Sequence, residues 1–498
     1  MFRFAKFVVI YALLPVALMS GCANISIPML AEACVKDQDH NFTEVLACYK
    51  KQQASQPLYY TAKEVQQLPG IEKRSFALMS QNWSPDGLIK TEQWKHKVDI
   101  YIPVDALPGR ALLVANNGIN YPNGKDGVKP ASDMNESMAL SIAKQTRTII
   151  VVVSDIPNQY LTYTDDNIAR REDDSVAHSW KLFLENPEAR PFMSLHIPMM
   201  ESIIKAMDLA QKELQPWQVN HFIATGASKR AWSAWLATIA DDRINAIVPF
   251  VIDFMNIDQV LNHTYHVYGG SWPLAFTSYQ REGITKKIKT ENFGKLMRIE
   301  DPLRYLSSAY AERLKIPKYI VNASSDDFFV PDNSQFYFDQ LAGQKALRVA
   351  PNASHFGIRE FIEESLISVI NRLQQGRALP AINVKFHEEK GNKALSLQFS
   401  EAPLKITQWT AVNPVARDFR YACGIRYQPT ELKLTEAQSL SVSATIQAPK
   451  EGWGASFIEA KFGDGLVTTT PVYVMPQTYP VSRPPVIEPG CKTVIDAL

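Results

Sequence analysis

Three side chains in this 498-residue sequence have the types and the order that acyl transfer needs: Ser228, Asp326 and His355. A serine hydroxyl becomes a nucleophile when an imidazole takes its proton, and the imidazole needs a carboxylate to hold its tautomer and stabilise its cation. Ser228 lies at the tip of the stretch HFIATGASKRAWSAW. Asp326 falls in SSDDFFVPD and His355 in NASHF, each just after a short apolar run. Asp327 and Asp332 are rival acids, and with nine histidines in the chain the assignment rests on order and on position in post-strand turns. The plain alternative for Ser228 is an N-cap of the following helix.

The elements that must position these groups are legible around them. Residues 219–224 have strand length, and Trp232, Trp235 and Leu236 recur at helical spacing. A strand, a tight turn of small residues and a helix make the nucleophile elbow of α/β-hydrolases, where Ser precedes the acid and the acid precedes His in the chain. Gly226 and Ala227 suit the close approach of backbone in such a turn, although Arg230 stands at the second glycine of the G-x-S-x-G pattern. Lys229 and the loop Asn116-Asn117-Gly118 would supply backbone N–H donors for an oxyanion, with Asn117 and Gly118 as the loop candidates. The Asn-Asn-Gly sequence reads equally well as a simple turn.

Strands are expected at 76–83, 94–103, 110–116, 148–153, 244–252, 318–323 and 347–351, with helices at 135–145, 170–186, 197–213 and 361–373. Continuous β-branched runs alternating with helices argue for a mostly parallel sheet covered on both faces. The alternation of Lys95, Lys97 and Asp99 suits a half-exposed sheet edge. Tyr160 and Tyr163, after the 148–153 strand, and Tyr265, Tyr268 and Trp272, in an aromatic-rich segment at 255–293 that suits a lid or substrate wall and equally suits packing, are candidate substrate-binding residues. The run Arg170-Arg171-Glu172-Asp173-Asp174 reads as a solvated helix start. After a linker at 374–380, spaced strands at 382–387, 394–399, 405–411, 440–446, 456–461 and 468–475 read as a β-sandwich. The expected organisation is a leader at 1–21, a lead-in at 22–60, an α/β domain at 61–375, a small all-β domain at 381–480 and a tail at 481–498.

Apolar residues at 46%, charged residues at 21% and a net charge of +1 give an ordinary globular composition with no demand for nucleic acid. The first 22 residues combine a basic start, an apolar run at 7–19 and small residues before Cys22, as a secretory signal does. Leu18-Met19-Ser20-Gly21-Cys22 resembles a lipobox, which would leave a lipid on Cys22 and anchor the chain in the cell envelope or periplasm; a soluble secreted form is the alternative. Four cysteines remain, and in an exported chain they suggest two disulfides. Three pairings are open; Cys34 with Cys48 and Cys423 with Cys491 keeps each bond within one region. No cofactor or metal is expected, since His263 and His266 in HTYH are a weak metal signal.

TGASKRAWSAWLAT, PNQYLTYTDD with REDD, IVPFVID, NASSDDFFVPDNSQFYFDQL and PNASH together resemble the PhoPQ-activated pathogenicity-related proteins, over about 60–480. The resemblance implies an α/β-hydrolase-like domain followed by a small β domain, in exported proteins linked to bacterial virulence. It accounts for Arg230, because the family favours Ser-Lys-Arg at the elbow, and it gives Ser228 the nucleophile's place, Asp326 the acid's and His355 the base's. The expected activity is cleavage of an ester, or less readily an amide, in a small-molecule, lipid or peptide substrate. Two other readings stay open: a non-catalytic signalling protein on a hydrolase scaffold, and a binder of envelope glycans or lipids through the aromatic segment.

Overall fold

The computed structural model describes residues 42–90, 92–120, 127–389, 391–433 and 440–496. The leader, Cys22 and Cys34 lie outside them. Among the described residues no helix is long and apolar enough to cross a membrane.

Nine strands form the main sheet: β1 (Tyr59–Leu68), β2 (Ile71–Asn82), β3 (Gln93–Pro103), β4 (Arg110–Ala115), β5 (Ile149–Val153), β6 (His221–Ala227), β7 (Ile244–Phe250), β8 (Lys318–Ala323) and β9 (Lys345–Ala350). Their order is β1-β2-β3-β5-β4-β6-β7-β8-β9. All neighbours from β5 to β9 run parallel, while β3 is antiparallel to both β2 and β5. The parallel strands are buried on both faces, as their unbroken apolar sequences require; every residue of β5 (IIVVV) is buried. Successive side chains alternate faces, so Leu112 and Val114 pack with one group of helices and Leu113 and Ala115 with the other.

Helices α1 (Val45–Ala54), α2 (Glu136–Thr146), α3 (Glu172–Glu185), α4 (His196–Glu213), α5 (Lys229–Ala240), α6 (Ile257–Val267), α7 (Thr277–Arg281), α8 (Glu291–Glu300) and α9 (Arg359–Gln374) complete the first domain. One face carries α2 and α9 through Ile142, Ala143, Leu366 and Val369. The other carries α4 and α5, with α3, α6 and α8 outside them. This is an α/β-hydrolase-like fold.

Two antiparallel sheets follow. One orders β10 (Ile382–Glu389), β11 (Asn392–Phe399) and β14 (Ser441–Ile446); the other holds β13 (Gln428–Leu432), β12 (Lys405–Asn413), β15 (Trp453–Lys461), β16 (Val467–Thr469) and β17 (Tyr473–Met475). Leu395, Leu397, Ile406, Ile446, Ile458 and Ala460 form their shared core. The sandwich is fastened to the first domain by Val349 N, which donates to Thr469 Oγ1 at 3.0 Å, and by Arg372, which pairs with Glu401 and Asp464.

Several expectations change. β3 lies inside the sheet; its start alternates exposed and buried residues because only one face is covered there. Tyr59–Leu68 is a strand that starts at the end of the expected lead-in and runs through residues for which no element was expected, and its mostly exposed side chains leave no apolar pattern to read. Residues 468–475 split into two strands at Pro471, which has no N–H to give a ladder. Gln428–Leu432 adds a strand with little buried surface. Cys423 and Cys491 are joined, with Cα atoms 4.9 Å apart. Cys48 is disulfide-bonded as well. Beyond Cys491 the tail reaches the aromatic segment of the first domain, where Thr493 and Val494 pair with Pro273 and Trp272.

Candidate active site

β6 delivers Ser228 at the carboxyl edge of the sheet, and α5 begins at the next residue. Ser228 has φ 57° and ψ −129°, a conformation uncommon for a residue with a side chain, and its hydroxyl makes no capping bond to α5. The N-cap alternative is therefore not what the fold builds. The turn is held on both sides: Ser228 N donates to Phe250 O at 2.9 Å, and Trp232 N to Ser228 O at 2.9 Å. Gly226 is required by proximity, since a Cβ there would lie 2.9 Å from the carbonyl carbon of Arg230. A strained residue persists only where its surroundings over-determine it, and such residues cluster at functional sites.

Asp326 and His355 lie on the loops after the adjacent parallel strands β8 and β9. The loops are knit together by Ser324 N to Ala350 O at 3.0 Å, Ser325 N to Ala353 O at 3.0 Å and Asn352 N to Ser324 Oγ at 2.8 Å. His355 Nδ1 lies 3.0 and 2.9 Å from the two Asp326 oxygens. Asp326 Oδ1 also accepts from Phe328 N at 2.7 Å and Phe329 N at 3.3 Å. With Nδ1–H on the carboxylate, the ring's Nε2 is left as the basic atom. No hydrogen bond joins that atom to Ser228 in this structure; such contacts often tighten only when substrate is bound.

The rival acids do other work. Asp332 accepts from His263 Nε2 at 3.0 Å and from Arg417 at 2.6 Å. Burial works to raise its pKa, but Arg417 and His263 hold it well below the usual carboxylate range. His263, half of the HTYH pair, is thereby fixed between Asp332 and the Tyr479 hydroxyl, 2.8 Å from Nδ1. Asp327 meets the backbone of His355 instead of its ring, and burial, then the neighbouring Asp326, raises its pKa.

On the oxyanion side, Lys229 is the first residue of α5, where an N–H has no carbonyl four residues back within the helix. The Asn117 N–H is already taken by Asn116 Oδ1 at 3.0 Å. That leaves Gly118, at φ 131°, as the donor this loop offers. A Cβ at Gly118 would lie 2.5 Å from Asp155 Oδ1, so the carboxyl after β5 packs directly on this glycine. Burial pushes Asp155 up to about 6.

The run 170–174 is not a solvated helix start. Lys229 Nζ lies 2.9 Å from Glu172 Oε2 and 3.2 Å from Asp173 Oδ2. Arg230 reaches Glu172 Oε1 at 2.6 Å and donates to Ile156 O at 2.6 Å, with Asp133 3.5 Å away. Arg359 closes the network on Asp133 at 2.6 Å. Burial works to raise the Glu172 pKa, yet Arg230 and Lys229 hold it well below the carboxylate range. Lys229 and Arg230, which follow Ser228, are thus the partners of Glu172 and Asp173, with Arg230 held on Glu172.

Ser228 forms part of the wall of a cavity of about 40 Å³. Seven aromatic rings that also line it touch in a closed circuit. Trp180 meets Trp232 at 5.6 Å, Trp232 meets Phe254 at 5.3 Å, and Phe254 meets Phe329 at 5.6 Å. Phe329 meets Phe328 at 6.0 Å, Phe328 meets Phe276 at 6.3 Å, Phe276 meets Tyr279 at 5.8 Å, and Tyr279 returns to Trp180 at 5.6 Å. Phe328 packs 4.8 Å from the His355 ring, so one wall lies against both Ser228 and His355.

None of the five expected substrate-binding residues lines this cavity. Tyr163 is buried with its hydroxyl 2.8 Å from Ser175 Oγ, and Tyr160 lies under the Arg171 guanidinium. Tyr268 is buried beneath Arg420, and Trp272 donates to Asp496 at 3.2 Å with Tyr265 against its ring. The expected segment does supply the wall, but through Phe276 and Tyr279. A larger cleft, of about 1840 Å³, lies between the first domain and the sandwich and includes neither Ser228 nor His355.

A 29% identical relative, over 409 residues, is autocrine proliferation repressor protein A of Dictyostelium discoideum, with 77% of this chain and 79% of that protein covered. Among solved structures, an acetyl xylan esterase from Paenibacillus sp. R4 is 14% identical with a TM-score of 0.46, covering 70% of this chain and 99% of that one. Acetyl xylan esterase 1 from Thermoanaerobacterium sp. JW/SL YS485 is 13% identical with a TM-score of 0.42, covering 69% and 99%. The profile of the family described as PhoPQ-activated pathogenicity-related protein matches residues 46–420, and the chain belongs to that family.

Proposed function

We propose that this protein is a serine hydrolase that cleaves an ester through an acyl-enzyme on Ser228. His355 Nε2 takes the hydroxyl proton as Oγ attacks the carbonyl, then returns it to the leaving alcohol; Asp326 holds the tautomer and stabilises the imidazolium. Lys229 N and Gly118 N are the proposed donors to the oxyanion. Water then repeats the sequence in reverse and frees the acid. The observation that carries this reading is the Asp326–His355 pair at 2.9 Å, at the ends of β8 and β9, on the same sheet edge as a serine held at φ 57° at the end of β6, with β7 between.

A signalling protein on a hydrolase scaffold is the competing reading, and the Dictyostelium relative, named as an autocrine proliferation repressor, favours it. A cavity at Ser228 and an Arg230 side chain turned onto Glu172 support catalysis against it. Turnover of 4-nitrophenyl acetate decides between them. Wild-type protein should hydrolyse it and Ser228→Ala should not; equal rates would remove the enzyme reading.

We also propose export, with a lipid on Cys22 holding the chain at the envelope membrane and its substrate among small-molecule, lipid or peptide esters there. The leader sequence supports it, as do the Cys423–Cys491 bond and the bonded Cys48, since such bonds persist in oxidising compartments. A part in bacterial virulence rests on the family description alone.

A further inference from the structure

We propose that the cavity beside Ser228 is an acyl pocket that admits short, neutral acyl groups of about two to four carbons. This deepens the hydrolase reading and rests on it. Ser228 would carry the acyl group in the intermediate and is itself part of the cavity wall, so the space opening at its side chain belongs to the acyl half of an ester.

Size sets the upper limit. The volume open to the centre of a water molecule is about 40 Å³, and one water needs roughly 10–15 Å³ of it, so about three non-hydrogen atoms fit beyond the carbonyl carbon. The limit is stiff, because the seven-ring collar is closed on itself and a longer chain must displace a ring already packed against two others. Leu261, Ile284 and Ile288 complete the wall with aliphatic surface.

Charge sets the chemistry. An aromatic collar can attract an organic cation. Here, however, the wall already holds the Lys229 ammonium, 3.2 Å from Asp173 Oδ2, and the Tyr279 hydroxyl donates to the other Asp173 oxygen at 3.2 Å. The two charged groups of the wall satisfy each other. A cationic substituent would meet Lys229 and an anionic one Asp173, each without a free counter-charge, whereas an alkyl chain loses nothing by entering.

The test uses the full chain with 4-nitrophenyl acetate, butyrate, hexanoate and octanoate, and separately a fluorophosphonate bearing a methyl group on phosphorus to measure reactive Ser228. The expected kcat/KM for butyrate exceeds that for octanoate by roughly tenfold or more. Leu261→Ala and Phe276→Ala, each checked by circular dichroism and Tm, should raise the octanoate-to-acetate ratio. Reactive Ser228 with a profile flat or rising to octanoate overturns the pocket assignment alone. So do folded variants that leave the profile unchanged, or a cut-off that follows the alcohol instead of the acyl chain. A Ser228 that neither reacts nor turns over any ester overturns the hydrolase reading, and the pocket with it.

Discussion

His355 Nδ1 lies 2.9 Å from Asp326 Oδ2, although the two residues stand on separate loops at the ends of neighbouring parallel strands. The pairing decides among three acids close together in sequence, because Asp332 is committed to His263 and Arg417 and Asp327 to the His355 backbone. Asp326→Asn should therefore lower kcat on a small ester by about 10³- to 10⁴-fold while leaving the protein folded. Asp332→Asn should lower Tm, with less than roughly tenfold change in kcat of the folded protein. Steady-state kinetics beside thermal melts check both; equal kinetic losses would contradict the assignment of the acid.

Glu172 is the shared anion of Lys229 and Arg230, both buried. Removing one partner of a buried pair leaves uncompensated charge, so Glu172→Gln should cost about 3 kcal/mol in urea unfolding. Glu185→Gln, on the exposed end of the same helix, should cost under about 1 kcal/mol. Similar losses at the two positions would show that the network contributes little.

The parts of this arrangement that were readable from sequence are those with an apolar signature. KYIVNA and KALRVA announce buried parallel strands, and the turns after them place Asp326 and His355. YYTAKEVQQL is a strand through backbone pairing to β2 alone, so its polar, exposed side chains carry no sign of it. The loss of Asn117 as a donor depends on the rotamer of Asn116, which no spacing reports. For the aromatic residues at 255–293, sequence locates the segment but not its inward face; Trp272 pairs with the C-terminal tail and Phe276 shares a cavity wall with Ser228. The REDD acids looked solvated because their cations, Lys229 and Arg230, lie more than fifty residues away.

Asp155 gives a pH signature. Its carboxyl is raised from 3.8 to about 6 by burial, so the folded state holds a proton that the unfolded chain has released. This contribution to stability is full below about pH 4 and is lost as pH rises through about 6. Asp155→Asn should thus gain on wild type by about 2 kcal/mol between pH 4 and pH 7.5, as measured by urea unfolding at both values. A stability difference independent of pH would contradict the raised pKa.

The Cys423–Cys491 bond spans 68 residues and anchors the tail whose Thr493 and Val494 pair with Pro273 and Trp272. Loop-closure entropy for that span is worth about 4 kcal/mol. The double substitution Cys423→Ser, Cys491→Ser should lower unfolding free energy by about 2–4 kcal/mol. It should also speed hydrogen exchange at 272–280, read by mass spectrometry. Unchanged exchange there would mean that segment does not depend on the tail.

The most direct test of the account is the covalent chemistry of Ser228. Intact-mass and peptide spectra after treatment with a methyl fluorophosphonate should show a single adduct on the peptide containing Ser228, and none on Ser228→Ala or His355→Ala protein that melts like wild type. Folded wild-type protein that stays unlabelled, or an adduct on another residue, would contradict it.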